Sequence, residues 1–532
     1  MKKKALQRPS VLALTLLATT LLASACGNNN GSSNSNASAS TASQTASSAS
    51  TAGSGSGESA KEPVTLNLFV DQTWWPLKDW SGDVPEEITK RTGVKLNITV
   101  ATDDKQLPLM IASGDLPDLV ATSTQNVRMA DSKLSLDWNS LIEQYAPDFK
   151  IDSENMAVNT APDGKIYTIK NNFSTKEEWA ANKETALLMG AGISVREDIM
   201  QALGNPQIKT MDDLTNLFQT VKDKYPDMIP LVLDPPNWHR GYFEQNFGVM
   251  PGLNDVDGKM QYGLHLPGNK AMYLYMNELY RKGFIKAENY AYKSEDQGKQ
   301  LMYSGKGFAF AWTTQGSDLL TSAATDTGYK FVNLPLKLSD DFKYTSTSAG
   351  WQGVYITKNN KNPEASIKLM AFLRSEEGQR LAMWGVEGKD WSMSADNKYP
   401  VFTYDHLDDN LRKKKGVYYW GLLTGSATTE LSGNFVPGTD STKAGQELTA
   451  LANFNSAIGL VVPDADSQEQ VIKNNIENLV KNEEAKVLLA TSAEAAAKAY
   501  DNMVAQADKM GLGKYEAWAN TKYEEVKKNF QQ

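Results

Sequence analysis

The stretch that most constrains this chain is LPLMIASGDLPDLVAT, residues Leu107 to Thr122, because its apolar spacing changes within one turn. Leu107, Met110 and Ile111 stand at i, i+3 and i+4, one stripe of a short helix, and Gly114 follows where a left-handed residue would end it. Pro117 then pushes Leu116 out of the helical region. Leu119, Val120 and Ala121 read as a short buried strand that ends in Thr122, Ser123 and Thr124. A helix, a tight turn and a strand ending in hydroxyls make one wall of an open α/β sheet, where ligands sit outside the carboxyl ends of strands. An ordinary βαβ unit without a ligand is the other reading this stretch leaves open.

Two alternations precede it. Val64, Leu66, Leu68 and Val70 form one; Val94, Leu96, Ile98 and Val100 form another, after a short helix ending at Gly93. Two strands about a helix predict a parallel pair. The first runs into Asp71-Gln72-Thr73-Trp74-Trp75-Pro76. Two adjacent tryptophans on a strand-ending loop cannot both turn inward with ease, so at least one of Trp74 and Trp75 is a candidate to face a ligand, alongside Asp71, Thr122 and Ser123. Core packing is the alternative for each.

With 532 residues the chain has room for more than one domain, and 41% hydrophobic with 22% charged residues is an ordinary globular balance. The formal net charge of -9 becomes more negative once an N-terminal segment holding Lys2, Lys3, Lys4 and Arg8 is set aside. That disfavours nucleic acid, which needs a clustered basic surface. One cysteine, Cys26, excludes an intramolecular disulfide and any CxxC metal site, and His239, His265 and His406 are too scattered for a helical metal pair. No cofactor and no metal are expected. NDVDGK, Asn254 to Lys259, lacks the closing Glu of a twelve-residue calcium loop and reads as a turn between strands.

Residues 1–25 have a cationic start, an apolar run from Val11 to Leu22 and a small-residue exit, the layout of a secretory signal. Cys26 follows directly. Residues 26–61 are Gly, Asn, Ser, Ala and Thr with little to bury, which predicts a flexible tether.

At ASGDLPDLV, Ala112 to Val120, the chain resembles extracellular solute-binding proteins that serve ABC importers, close to the larger sugar-binding lipoproteins of Gram-positive bacteria. Further segments resemble the same family: DGKIY at Asp163–Tyr167, the helix pair SVREDIMQALG…TMDDL, NELYRKGFIKAE at Asn277–Glu288, NPEASIKLMAFLRSEEG and the closing MGLGKYEAW. Cys26 resembles a lipobox cysteine, although Ala23 stands where that pattern usually has Leu. The resemblance implies an α/β, periplasmic-binding-protein-like fold: two lobes, each a central mixed sheet flanked by helices, hinged by crossing strands, plus C-terminal helices. Lobe 1 is expected at 62–170 with about 334–375, and lobe 2 at 171–333 with about 376–532.

The resemblance also implies that the strand after Tyr167 crosses between lobes with Lys170, Asn171 and Asn172 near the ligand. Asn171 and Asn172 offer the donor–acceptor forks that adjacent sugar hydroxyls match. PPNWHRGYFEQNFGV brings Trp238 and Arg240 into a Pro/Gly-bounded loop, GKGFAFAWTTQG ends with Trp312 and Gln315, and SAGWQGVYITKN begins a strand at Trp351. Stacked indoles with amide and hydroxyl groups suit an oligosaccharide. The implied whole is a lipid-anchored, non-enzymatic binding protein on the outer face of the cytoplasmic membrane. It is expected as a monomer that delivers an oligosaccharide to permease subunits of an ABC transporter. A peptide or an anionic, uronic-acid-type ligand clamped by Arg240 or Arg128 is the alternative. A secreted glycoside hydrolase would need a carboxylate pair across one bond, and no pair among the acidic residues stands out.

Overall fold

The computed structural model describes residues 62–234, 240–292, 294–464 and 467–530. The secretory segment, Cys26, the tether and Trp238 lie outside the described residues. In chain order, the strands that position the site are β1 (Val64–Val70), β2 (Val94–Val100), β3 (Leu119–Thr122), β4 (Ala191–Arg196), β5 (Ile229–Leu233), β6 (Gly307–Thr313), β7 (Phe331–Asn333), β8 (Tyr344–Ser346), β9 (Gly353–Ile356) and β10 (Ala452–Phe454).

Two four-stranded sheets organise them, in the orders β9-β3-β1-β2 and β5-β6-β4-β7. β1 and β2 pair in parallel from Val64↔Val94 to Val70↔Val100, as their matched alternations predict. β3 is parallel to β1, and β9 runs antiparallel to β3 with Gly353 opposite Thr122. The carboxyl ends of β1 and β3 therefore share an edge with the amino end of β9. In the second sheet β5 and β6 are parallel and β4 is antiparallel to β6, so Asp234, Thr313 and Gly190 share the corresponding edge.

The opening stretch folds as its spacing requires. Its helix covers Gln106–Ser113 and stops at Gly114, which sits at φ 74° and donates its N–H to the Ile111 carbonyl; a side chain would be strained there. Thr210 and Asp213 form the reciprocal capping box expected at the start of the helix Met211–Lys224. The NDVDGK run is the turn of a hairpin, Leu253–Val256 with Lys259–Tyr262, with Asp257 and Gly258 both at positive φ. β4 carries no mark in the sequence; its last residue, Arg196, also caps the helix Glu197–Ala202 expected there, and its guanidinium bonds Asp198 in the first turn.

Each sheet has its own core. The first contains Leu66, Leu68, Trp138, Ile169, Val354 and Trp420; the second contains Ile193, Leu231, Phe243, Phe308, Leu338 and Leu448. Helices Gln468–Leu488, Ala493–Met510 and Leu512–Asn529 join the second through Ile476, Tyr500 and Tyr515. The sequence reading put everything after about residue 375 in lobe 2, but Leu381, Trp384, Trp391, Val417, Trp420 and Leu423 pack in the first core. Trp384 and Trp391 meet edge to face at 5.0 Å, a contact available only inside lobe 1. The chain therefore crosses between cores three times: between Ile169 and Leu188, between Leu338 and Val354, and between Leu423 and Leu448. Among the described residues, no helix is long and apolar enough to cross a membrane.

Candidate ligand-binding cleft

At the end of β1 the two tryptophans part. Trp75 N–H bonds the Gln72 carbonyl in a tight turn, and its ring is 1% exposed against Tyr419 and Trp420. The turn sends Trp74 the other way: it is turned outward and is 54% exposed. Its ring stacks on Trp351, centroids 6.0 Å apart and planes 16° from parallel. Trp74 and Trp351, read from segments far apart in sequence, meet; Trp75 is a core residue and is not available to a ligand.

The polar residues around this pair brace it. Asp71 is buried and accepts hydrogen bonds from Thr122 Oγ1 (2.7 Å) and Thr124 Oγ1 (2.5 Å), while Thr122 Oγ1 accepts from the Gln125 N–H. Asp71 and Thr122, both read as ligand contacts, are thus spent on each other. Ser123 is half-buried and accepts from Gln72 Nε2 at 3.1 Å. Asn126 donates to the Trp351 carbonyl at 2.9 Å and accepts from the buried Tyr355 hydroxyl. Gln72 and Asn126 were missed by the sequence reading, since nothing local marks a brace between loops about fifty residues apart or more.

Asn171 is also placed differently. It is 1% exposed, its amide donates to the Leu422 carbonyl and its oxygen accepts from Gln352 N–H. Asn172 is exposed at φ 53°, with its N–H on the Gly425 carbonyl and its carbonyl on Ser348 Oγ. Beside them, burial pushes the Lys170 ammonium down to about 8.

In the second lobe, Trp312 is 8% exposed, packed with Phe310, Leu320 and Phe331 and capped by Lys299 Nζ 4.3 Å over its ring. β6 lies between β5 and β4 and is buried along nearly its whole length, so its indole serves the core. Gln315 is half-buried at the start of helix Gly316–Ala323. Asp234, at the end of β5, is buried; desolvation, with Glu295 adding to it, pushes its carboxyl up to about 6.

Next to this edge is a cavity of about 860 Å³ lined by Met189, Gly190, Arg240, Tyr273, Tyr344 and Glu484 among others. Arg240 is not a free clamp: Glu244 Oε1 lies 3.2 Å from its Nε, and Tyr273 and Glu484 take its Nη1. Burial works against its charge, but these neighbours hold it firmly protonated. A smaller cavity of about 290 Å³ lies at the crossovers, between Phe173, Trp179, Ser346 and Phe454. Among the described residues, no group of three or more His, Cys, Asp or Glu is placed to hold a metal ion.

Two sheets joined by three crossovers, with a cavity beside the second and a stacked indole pair on the rim of the first, are the frame of a binding protein. The family model described as bacterial extracellular solute-binding protein matches residues 75–380. The chain belongs to this family. Solved structures with the same solute-binding fold include an HMO-binding, ABC-transporter-associated solute-binding protein from Bifidobacterium longum infantis: TM-score 0.67, 15% identity, 87% of this chain and 99% of that one. A Streptococcus pneumoniae ABC-transporter substrate-binding protein in complex with kestose matches at TM-score 0.63 and 17% identity, over 88% of this chain and 100% of that one. An alginate-binding protein without calcium ion matches at 0.60 and 19%, over 87% and 98%. At these identities the likeness is one of fold, the two-lobe α/β architecture. No curated protein sequence matches the chain.

Proposed function

We propose that this solute-binding protein captures an oligosaccharide between its lobes and presents it, unreacted, to the permease subunits of an ABC importer. The observation that carries the reading is Trp74, a half-exposed indole held parallel to Trp351 on the rim of the first sheet. Such a face stacks on the C–H side of a pyranose ring, contributing about 0.5–1.5 kcal/mol by analogy with aromatic pairs. Amide and hydroxyl groups then meet the sugar hydroxyls, since an unpaired buried polar group costs about 1–3 kcal/mol. Contacts made only when both lobes touch the ligand favour the closed state, the form a permease distinguishes from the empty one.

Asp71 supports binding over hydrolysis, because its carboxylate is committed to two threonine hydroxyls. Lipidation at Cys26, anchoring the chain on the outer face of the membrane, completes the proposal; two or more acyl chains hold stably where one is marginal. A uronic-acid-type ligand is the second reading, and Lys170 favours it: a half-buried ammonium beside Asn171, destabilised by burial.

The test is titration calorimetry of the protein with neutral and uronic-acid oligosaccharides, with chromatography of the glycan afterwards. Binding of a neutral glycan, recovered intact and weakened by Trp74→Ala, is the expected result. Cleaved glycan, or affinity unchanged in Trp74→Ala, refutes the proposal. Preference for the acidic glycan, abolished by Lys170→Met, selects the second reading.

A further inference from the structure

The three crossovers meet at one buried point. Asn171 on the first donates its side-chain amide to the carbonyl of Leu422, the first-core residue next to the start of the third, and accepts from the N–H of Gln352 on the second at 2.8 Å. Gln352 Nε2 donates to the same Leu422 carbonyl at 3.2 Å. Main-chain bonds repeat the tie: Asn171 N–H to the Gln352 carbonyl at 2.9 Å, and Trp351 N–H to the Asn171 carbonyl at 3.0 Å. Both carboxamides are essentially without solvent exposure, at 1% and 0%. Gln352 Oε1 is left without a hydrogen-bond partner among the described residues, so the bond from Nε2 to Leu422 is the side-chain bond this amide makes.

We propose that Asn171 and Gln352 are positioning residues: they knot the three crossovers together at the edge of the first lobe, so that lobe motion begins only on the second-lobe side of the knot. Trp351, one residue from Gln352 and bonded to Asn171, then keeps its place under Trp74 while the lobes move. This deepens the capture reading and rests on it for its purpose, though not for its test. Beyond the knot the first and third crossovers stay joined, through Asn172 N–H to the Gly425 carbonyl and Thr428 N–H to Ser174 Oγ. The second is tied to them there by one side-chain bond, Ser348 Oγ–H to the Asn172 carbonyl at 2.8 Å, and reaches the knot through Gly350. Gly350 sits at φ 82°, and a Cβ there would lie 2.5 Å from that of Lys170; no side chain fits, so this joint is closed to every residue but glycine.

The experiment uses the full chain with Cys26→Ser, spin-labelled at Leu109→Cys in the first lobe and Val471→Cys in the second, both exposed. The interlobe distance distribution is measured without ligand by double electron–electron resonance. Asn171→Asp, which keeps the acceptor for Gln352 but loses the donor to Leu422, and Gln352→Glu are compared with Asn246→Asp. Asn246 is a buried carboxamide that bonds the Tyr242 and Leu336 carbonyls inside the second lobe. The expected result is a distribution at least twice as wide in the two knot variants and unchanged in Asn246→Asp. A width unchanged in both knot variants, or widened equally in Asn246→Asp, overturns the proposal. Because no glycan is present, failure of the protein to bind sugars leaves this result untouched.

Discussion

The two walls of the cleft solve the same problem by opposite means. On the first lobe the polar side chains pair with one another below the surface, Asp71 with Thr122 and Thr124, Gln72 with Ser123, and what is left uppermost is an indole face. On the second lobe the charges stay at the cavity, but Arg240 is closed off by Glu244 and Glu484. One wall is apolar on a polar brace; the other is ionic yet balanced. The difference teaches that the Asp71 carboxylate and the Arg240 guanidinium are both spent within the protein, which favours recognition by stacking and by neutral hydrogen bonds. Side chains already held in place lose less freedom on binding, which is the advantage of such bracing.

The largest effect that would break the comparison is at Trp75. Trp75→Ala removes an indole buried against Tyr419 and Trp420 and is expected to cost about 3–5 kcal/mol in denaturant unfolding, whereas Trp74→Ala, one residue away, changes unfolding by about 0.5 kcal/mol or less. Equal losses would show that the rim and the core are not separate. Next, Glu484→Ala leaves Arg240 with one carboxylate, Glu244, and with only the Tyr273 hydroxyl on its Nη1, a loss of about 1–3 kcal/mol by the same measurement; no loss would mean that the second wall is not an ionic brace. Third, Trp74→Ala is expected to weaken glycan binding by about 0.5–1.5 kcal/mol, which is two- to roughly tenfold in Kd by calorimetry, while Gln315→Ala leaves it within error.

The smallest effect is in the pH dependence, where one histidine in each lobe gives opposite signs. His265 is held between Glu516 (2.8 Å) and Asp508 (2.9 Å). Burial opposes its charge, but the two carboxylates outweigh burial and raise its pKa. A raised folded-state value means stability present below the ordinary histidine value, about 6.5, and lost as pH rises through the folded one. His406 is the reverse: burial, with Arg412 adding to it, lowers it to about 4, so stability is intact above about 6.5 and falls as pH drops toward 4. Thermal unfolding from pH 4 to 9 should show His406→Gln removing the acid-side loss and His265→Gln the alkaline-side one. A single histidine variant that flattened both limbs would contradict this assignment.

Much of the frame was legible beforehand, for reasons that particular residues make plain. The helix stop at Gly114, the parallel β1 and β2, the Thr210 capping box and the turn at Asp257 all follow from neighbours within a few positions, where dihedral preference and period operate. The lobe boundary after residue 375 was misread, because the helix and loop from Glu376 to Leu423 carry no mark of which core they join. Trp312 and Asn171 were misread for the same reason: a tryptophan on a central strand and an asparagine at a crossover look, in isolation, like residues facing a ligand.

Taken alone, the order of residues determined the first three strands and their ends, the helix stops and caps, and that indoles and amides gather near strand ends, since backbone geometry and side-chain period are local properties. Only the tertiary structure decided that Trp74 meets Trp351 while Trp75 is buried, that Arg240 is neutralised from a helix more than two hundred residues away, and that three crossovers share one carbonyl. Burial and pairing depend on what the rest of the chain brings alongside, and no stretch of sequence carries that information about its own surroundings.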